Sequence, residues 1–163
     1  MPLPPDAFVD GGVVVRDAGR LVIGRRFAIS GLPVRSHVVV APGGTLRIGH
    51  GVRIGHGVSI SAHSSVEIGD DVVIGPFSIV MDLDYHEIKD RDSRGTPRPV
   101  RIGRGVRLGA GVIVLRGAVI GDGACIAAHS VVSRVVPPGA YASGVPARPD
   151  GTRTSAPVSG DRS

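Results

Sequence analysis

The chain has 163 residues, enough for one domain and too few for two comfortable ones. It holds no Trp, two Tyr and three Phe, so large rings cannot fill its interior, and its single cysteine, Cys125, excludes an intrachain disulfide framework. The net charge of +5 rests on arginine almost alone, Lys89 being the only lysine, which leaves nucleic acid, an anionic membrane or a phosphate-bearing cofactor as candidate partners.

The opening residues, Met1-Pro-Leu-Pro-Pro-Asp6, lack the basic-then-apolar layout of a secretory signal. No apolar run approaches the ~18 residues of a membrane span, so a cytoplasmic protein without a membrane segment is expected. Residues 1–39 are only loosely periodic, with Ile23, Ile29 and Val34 as candidate rungs of an irregular first coil.

From residue 40 the pattern tightens. Large aliphatics fall at Val40, Ile48, Ile54, Ile60, Ile68, Ile74 and Val80, then at Ile102, Leu108, Val114, Ile120, Ile126 and Val132. The step is six except for one interruption and two steps of eight, Val40 to Ile48 and Ile60 to Ile68, which recur twenty residues apart and so fall at one corner of successive turns. Four residues after each aliphatic comes a small or β-branched residue, among them Val52, Val58, Ser64, Val72, Ser78, Val106, Val112, Ala118, Ala124 and Ser130. A period of six matches neither a helix at 3.6 nor a meander with turns every 8–12 residues. It matches a three-sided coil, one short strand per face and one tight turn per corner, whose rungs stack at the ~4.8 Å strand spacing. The expected fold is all-β, a parallel β-helix over residues 40–136 with aliphatic ladders inside it. The period leaves the hand open, and the usual rule for parallel crossovers favours a right-handed path.

Between Val80 and Ile102 runs MDLDYHEIKDRDSRGTPRPVR, a charged excursion at about residues 82–99 that adds nothing to core packing. Long loops on a rigid scaffold commonly carry function. Asp82, Asp84, His86 and Glu87 come close together here, followed by Arg91, Arg94 and Arg98. Residues 94–134 hold seven arginines against one acid, Asp122, and no aromatics with which to stack bases, so a small polyanion is expected and nucleic acid is not. Residues 137–148 read as a closing segment, and 149–163, rich in Gly, Ser, Thr, Pro and Arg, as a disordered tail.

The hexapeptides, the Asp82-Leu-Asp-Tyr-His86 run, the Pro99-Val-Arg-Ile-Gly103 return, Ser130-Val-Val-Ser-Arg-Val-Val-Pro-Pro-Gly139 and Gly144-Val-Pro-Ala-Arg148 together resemble the hexapeptide-repeat acyltransferases. The resemblance spans residues 40–148 and is nearest to the galactoside, maltose, xenobiotic and polysaccharide-sugar acetyltransferases. It implies a left-handed triangular prism and transfer of an acetyl group from acetyl-CoA to a hydroxyl or amino group of a sugar or sugar-like molecule. It also implies a homotrimer with each site between adjacent prisms, and a loop histidine as general base. His86 is the only histidine in the loop, and imidazole, with a reference pKa near 6.5, suits removal of a proton from an attacking acceptor at neutral pH. Asp84 or Glu87 would hold its ring, and backbone N–H groups beside Gly109 and Ala110 could receive the charge developing on the thioester oxygen. The positions matching the coenzyme-binding edge are Gly109, Ala110, Ala127, Ala128, Ser133, Arg134, Pro146 and Arg148, and no metal is expected.

Three departures from the family limit the acceptor. Arg107 stands where many relatives carry an aromatic residue, His129 follows Ala128 in place of a second small residue, and the galactoside enzymes' acceptor-binding positions fall on Gly55 or Gly57 and His63, so a galactoside is not supported. Cys125 precedes the inward Ile126 and should face outward, which argues against a cysteine nucleophile. Two other readings remain. A γ-class carbonic anhydrase would need three converging imidazoles for zinc, but His50 and His56, six apart, should lie on different sides of the prism. A non-catalytic β-helix scaffold would have no use for the loop or the arginine-bearing closing motifs.

Overall fold

The computed structural model describes residues 3–84 and 95–150. All its regular elements are β-strands, and they wind into a left-handed parallel β-helix of about six turns. Three inward rows run the length of the prism. Face one stacks Ile29, Ile54, Ile74, Leu108, Ile126 and Ala142. Face two stacks Val38, Ile60, Val80, Val114 and Val132. Face three stacks Ile23, Ile48, Ile68, Ile102, Ile120 and Val136. Thirteen-residue strand Ala28–Val40 crosses from face one to face two and joins them into one sheet.

The corners explain the rest of the repeat. The residue four beyond each aliphatic turns inward and closes the triangle, so Val52, Val72, Val106 and Ala124 are fully buried. At the corner from face one to face two, serines alternate with valines. Ser78 donates its hydroxyl to the Gly109 carbonyl (3.1 Å), and Ser130 accepts the Gly144 N–H (3.1 Å), each tying its coil to the next. The same corner needs a left-handed residue in each regular coil. Gly57 and Gly111 supply two, but Phe77 (φ 61°) and His129 (φ 60°) supply the others. Each ring lies over the glycine of the preceding coil, where a Cβ would approach Phe77 to 2.7 Å and His129 to 2.5 Å. The glycines are thus needed for the ring above as well as for the turn.

Three expectations change. The second-face row passes through Val38, which pairs with Ile60, while Val40 pairs with Ala62. Counted from Val38, the step to Ile48 is ten residues, so this corner absorbs extra chain in coil after coil: ten, then eight, then twenty-two from Val80 to Ile102. Val34 is no rung. The strand Phe8–Asp17 pairs with residues 28–31 and then 36–40, so residues 32–35 bulge outward and Val34 is exposed. Ser64 is only half-buried, because its N–H turns toward the carboxylate of Asp82 rather than closing a regular corner.

Ile74, 1% exposed in the middle of the face-one row, carries a prediction. Ile74→Ala should lower the stability by about 2–5 kcal/mol, since stacked coils cannot collapse into the space. Chemical denaturation followed by circular dichroism measures it.

Candidate functional site

The charged excursion leaves the prism at the corner from face two to face three, where the extra residues accumulate. Its root is built around Asp82. This side chain is fully buried and accepts three consecutive backbone N–H groups of the coil below, from His63 (2.8 Å), Ser64 (2.6 Å) and Ser65 (2.8 Å). The His63 Nδ1 lies 3.5 Å from the same carboxylate. On the return side, Arg98 donates its N–H to the Asp82 carbonyl (2.8 Å) and accepts the Gly117 N–H on its own carbonyl (3.2 Å). Arg98 therefore occupies the corner as a rung between two coils. A charged group this deeply buried is tolerable only when its lone pairs are met, and here backbone donors meet them.

The two ends of the excursion touch. A Cβ on buried Gly95 would stand 2.6 Å from the Asp84 carbonyl oxygen, so only glycine fits at this neck. Asp84 Oδ2 pairs with Arg116 Nε at 2.7 Å, both side chains about one-third exposed, and Arg116 also donates to the Thr96 carbonyl at 2.9 Å. Asp84 is thus engaged by an arginine of the next coil. His86 and Glu87, with Arg91 and Arg94, lie outside the described residues, as do residues 151–163 of the tail.

The expected coenzyme positions separate into two groups. Gly109, Ala110, Ala127 and Ala128 stack as a column of small residues on the edge between faces one and two. A Cβ on Gly109 would come within 2.6 Å of the Ala128 nitrogen. Above them the terminal hairpin, Tyr141–Gly144 against Ala147–Pro149, brings Pro146 and Arg148 to the top of face one, where Gly144 is tied to Ser130. Ser133 and Arg134 sit on the other edge, between faces two and three, above Arg116 and the loop root. Arg134 and Arg148 are both exposed.

One role changes. The Gly109 N–H is donated to the Ile126 carbonyl at 2.9 Å, so it cannot also receive charge from a thioester oxygen. Of the two proposed donors only Ala110 keeps an N–H without a backbone partner among the described residues. Cys125 lies on the outward side of face one, half-exposed, as its phase requires. The described histidines are dispersed: His37 on the outside of face two, and His50, His56, His63 and His129 over three edges. No group of three His, Cys, Asp or Glu side chains gathers to hold a metal among the described residues. No helix among them is long and apolar enough to cross a membrane.

Residues 99–134 match the model of the bacterial transferase hexapeptide (six repeats). Over these residues the chain is similar to that family's repeat. A hexapeptide-repeat-containing acetyltransferase from Vibrio cholerae is 31% identical over 66% of this chain and 62% of its own, with a TM-score of 0.62. The chain therefore spans less than two thirds of that relative's length. A second structure of the Vibrio cholerae acetyltransferase, complexed with acetyl coenzyme A, aligns at 26% identity over 86% of this chain and 70% of its own, TM-score 0.65. An N-acyltransferase from Bacillus cereus, in complex with dTDP and 3-hydroxybutyryl-CoA, shares the fold at 18% identity, with 92% of this chain and 81% of its own covered and a TM-score of 0.77. No curated protein matches the sequence.

Two residues of the loop root escape a reading of the sequence. Asp82 stands beside Asp84 in the same run, and nothing local distinguishes the buried carboxylate from the paired one. Arg116 occupies an ordinary corner of the repeat VLRGAV, so its reach to the loop has no local signal. Replacing Asp82 tests the root. Asp82→Ala should destabilise the protein by roughly 3 kcal/mol or more, because three buried N–H groups lose their acceptor. Asp82→Asn, which keeps one carbonyl oxygen, should cost less, and the two unfolding midpoints measured side by side decide it.

Proposed function

We propose that this protein is an acyl-CoA-dependent acetyltransferase that acetylates a hydroxyl or amino group of a sugar or sugar-like small molecule, with His86 as general base. The observation that carries the reading is the placement of the long excursion between Val80 and Ile102. It leaves a rigid prism at one edge, is closed at its neck, and brings His86 into a chain whose relative from Vibrio cholerae is an acetyltransferase crystallised with acetyl coenzyme A.

The chemistry needs little more. A thioester is already activated, so the demanding event is loss of a proton from the acceptor as its oxygen or nitrogen attacks the carbonyl carbon. His86 takes that proton, the carbon–sulfur bond breaks, and the imidazolium returns the proton to the departing sulfur, so that coenzyme A leaves as its thiol. Glu87 remains to orient the imidazole, because Asp84 is engaged by Arg116. The Ala110 N–H is the donor for the developing oxyanion. Small residues Gly109, Ala110, Ala127 and Ala128 let an extended pantetheine lie against the backbone. Pro146 and Arg148 stand at the upper end of this column and Ser133 and Arg134 on the edge that carries the loop root, and the two exposed arginines suit phosphate groups.

The active unit is a homotrimer. Within one prism the loop root and the small-residue column lie on different edges with face two between them. A neighbouring protomer brings the loop edge of one prism to the small-residue edge of the next. Face two supports this contact, because its outward residues Ile79, Met81, Ile113, Leu115 and Val131 are apolar and only half-buried.

Acetyl-CoA, a panel of sugars and amino sugars, and a thiol reagent test the proposal together. Acceptor-dependent thiol release should appear in the native protein and fall by roughly 10²–10⁴-fold in His86→Ala. Arg134→Glu should raise the KM for acetyl-CoA with a smaller change in kcat, as expected for a residue that binds the cofactor rather than the transition state. Full activity in His86→Ala would overturn the assignment of the base. A fully active monomer, identified by sedimentation, would overturn the trimer.

A further inference from the structure

We infer that Arg116 is a positioning residue for the acyl-transfer step, acting as a two-point clamp across the neck of the loop. This rests on the reading of His86 as the base, a residue two positions beyond Asp84 and outside the described residues. The argument starts from reach. The segment 85–94 begins at Asp84 and ends at Gly95, and these two residues are already in contact through the Asp84 carbonyl. The Arg98 N–H bonded to the Asp82 carbonyl (2.8 Å) ties the same two arms at their base, and both ties are made by backbone atoms. Arg116 adds two side-chain points at the neck. Its Nε holds the Asp84 carboxylate on the outgoing arm at 2.7 Å, and its terminal nitrogen holds the Thr96 carbonyl on the returning arm at 2.9 Å.

The geometry suits arginine specifically. A planar guanidinium presents donors in a fixed fork, so binding one strand orients the donor offered to the other. A lysine ammonium could pair with Asp84 but would not set the direction toward Thr96. The clamp also stands on firm ground. Arg116 follows Leu115 at the end of a face-two strand pairing, and its neighbour Gly117 bonds the carbonyl of Arg98. The coil above the loop thus carries both the clamp and a backbone tie to the return. A residue that acts by placing another changes turnover more than ground-state binding, and small displacements at a reacting centre are expensive.

The test uses the full-length protein with Arg116→Ala, Asp84→Ala, the double variant and Arg116→Lys. Arg116→Ala should lower kcat by up to roughly 10²-fold while the KM for acetyl-CoA stays within about twofold. The double variant should be no slower than the slower single one, because both remove the same contact. Arg116→Lys should recover only part of the loss. Trypsin supplies a readout independent of catalysis, since Lys89, Arg91 and Arg94 all lie in the sequence between Asp84 and Gly95. Cleavage there should accelerate in Arg116→Ala and Asp84→Ala at an unchanged unfolding midpoint. Native kcat and cleavage rate in Arg116→Ala, or losses in the double variant that simply multiply, would overturn the clamp. So would a fallen unfolding midpoint in Arg116→Ala shared by Arg116→Lys, which would make the residue a part of the fold. If the native protein transfers no acyl group to any acceptor, the proposed activity fails, and the cleavage rates still decide the clamp.

Discussion

Backbone hydrogen bonds from each coil to the next hold this prism together, and every side-chain feature is subordinate to them. They recur at 2.8–3.0 Å at the same place in successive coils, as in Gly49 to Ile68, Gly69 to Ile102, and Gly103 to Ile120. The requirement that coils stack directly, backbone upon backbone, is what excludes side chains from the positions held by Gly75 and Gly109. It also forces the interior to be filled by rows of identical depth, so Ile, Val and Leu suffice and aromatic rings are not needed. A parallel sheet normally buries both faces under helices. Here the sheet folds on itself and buries one face in its own interior, which leaves the other free for partners.

That constraint dictates where chemistry can be added. A face cannot accept an insertion without breaking the stacking on both sides, whereas a corner can, provided its two ends return to one point. The corner between faces two and three does this three times, with steps of ten, eight and twenty-two residues from one inward aliphatic to the next. The entropic cost of lengthening a loop rises slowly, about 0.6 kcal/mol per doubling, so the longest excursion costs little more than the shorter ones. Asp82 makes the departure stable. Its carboxylate replaces, for three N–H groups, the carbonyl partners that a regular corner would have supplied.

The same geometry separates the parts of the proposed site. In a prism, residues six apart occupy neighbouring faces, so the loop root and the column of small residues stand on different edges. In the proposed trimer, association of protomers becomes part of the site rather than an accessory to it. The phase also scatters the histidines. His50 and His56 fall on successive edges and cannot converge within one chain, although the sequence contains enough imidazoles for a metal site.

Much of this was legible in the residues themselves. Strict phasing at six determined the three-sided coil, the inward rows, the outward Cys125 and the position of the excursion, because stacking makes each repeat obey the same rule. The phase failed where the rule was locally suspended. Val34 lost its place to a four-residue bulge, and Val38 rather than Val40 carried the row, because neither is decided until the neighbouring coil sets the register. At the loop, composition marked carboxylates, a histidine and arginines as candidates for chemistry. Only the tertiary structure decided that Asp82 is a buried anchor, that Asp84 belongs to Arg116, and that Gly109 has already given its N–H to Ile126. Those assignments depend on contacts between residues of neighbouring coils seventeen to thirty-two positions apart. The sequence determined the repeat, and the stacking of one repeat on another decided which of its polar groups were left for function.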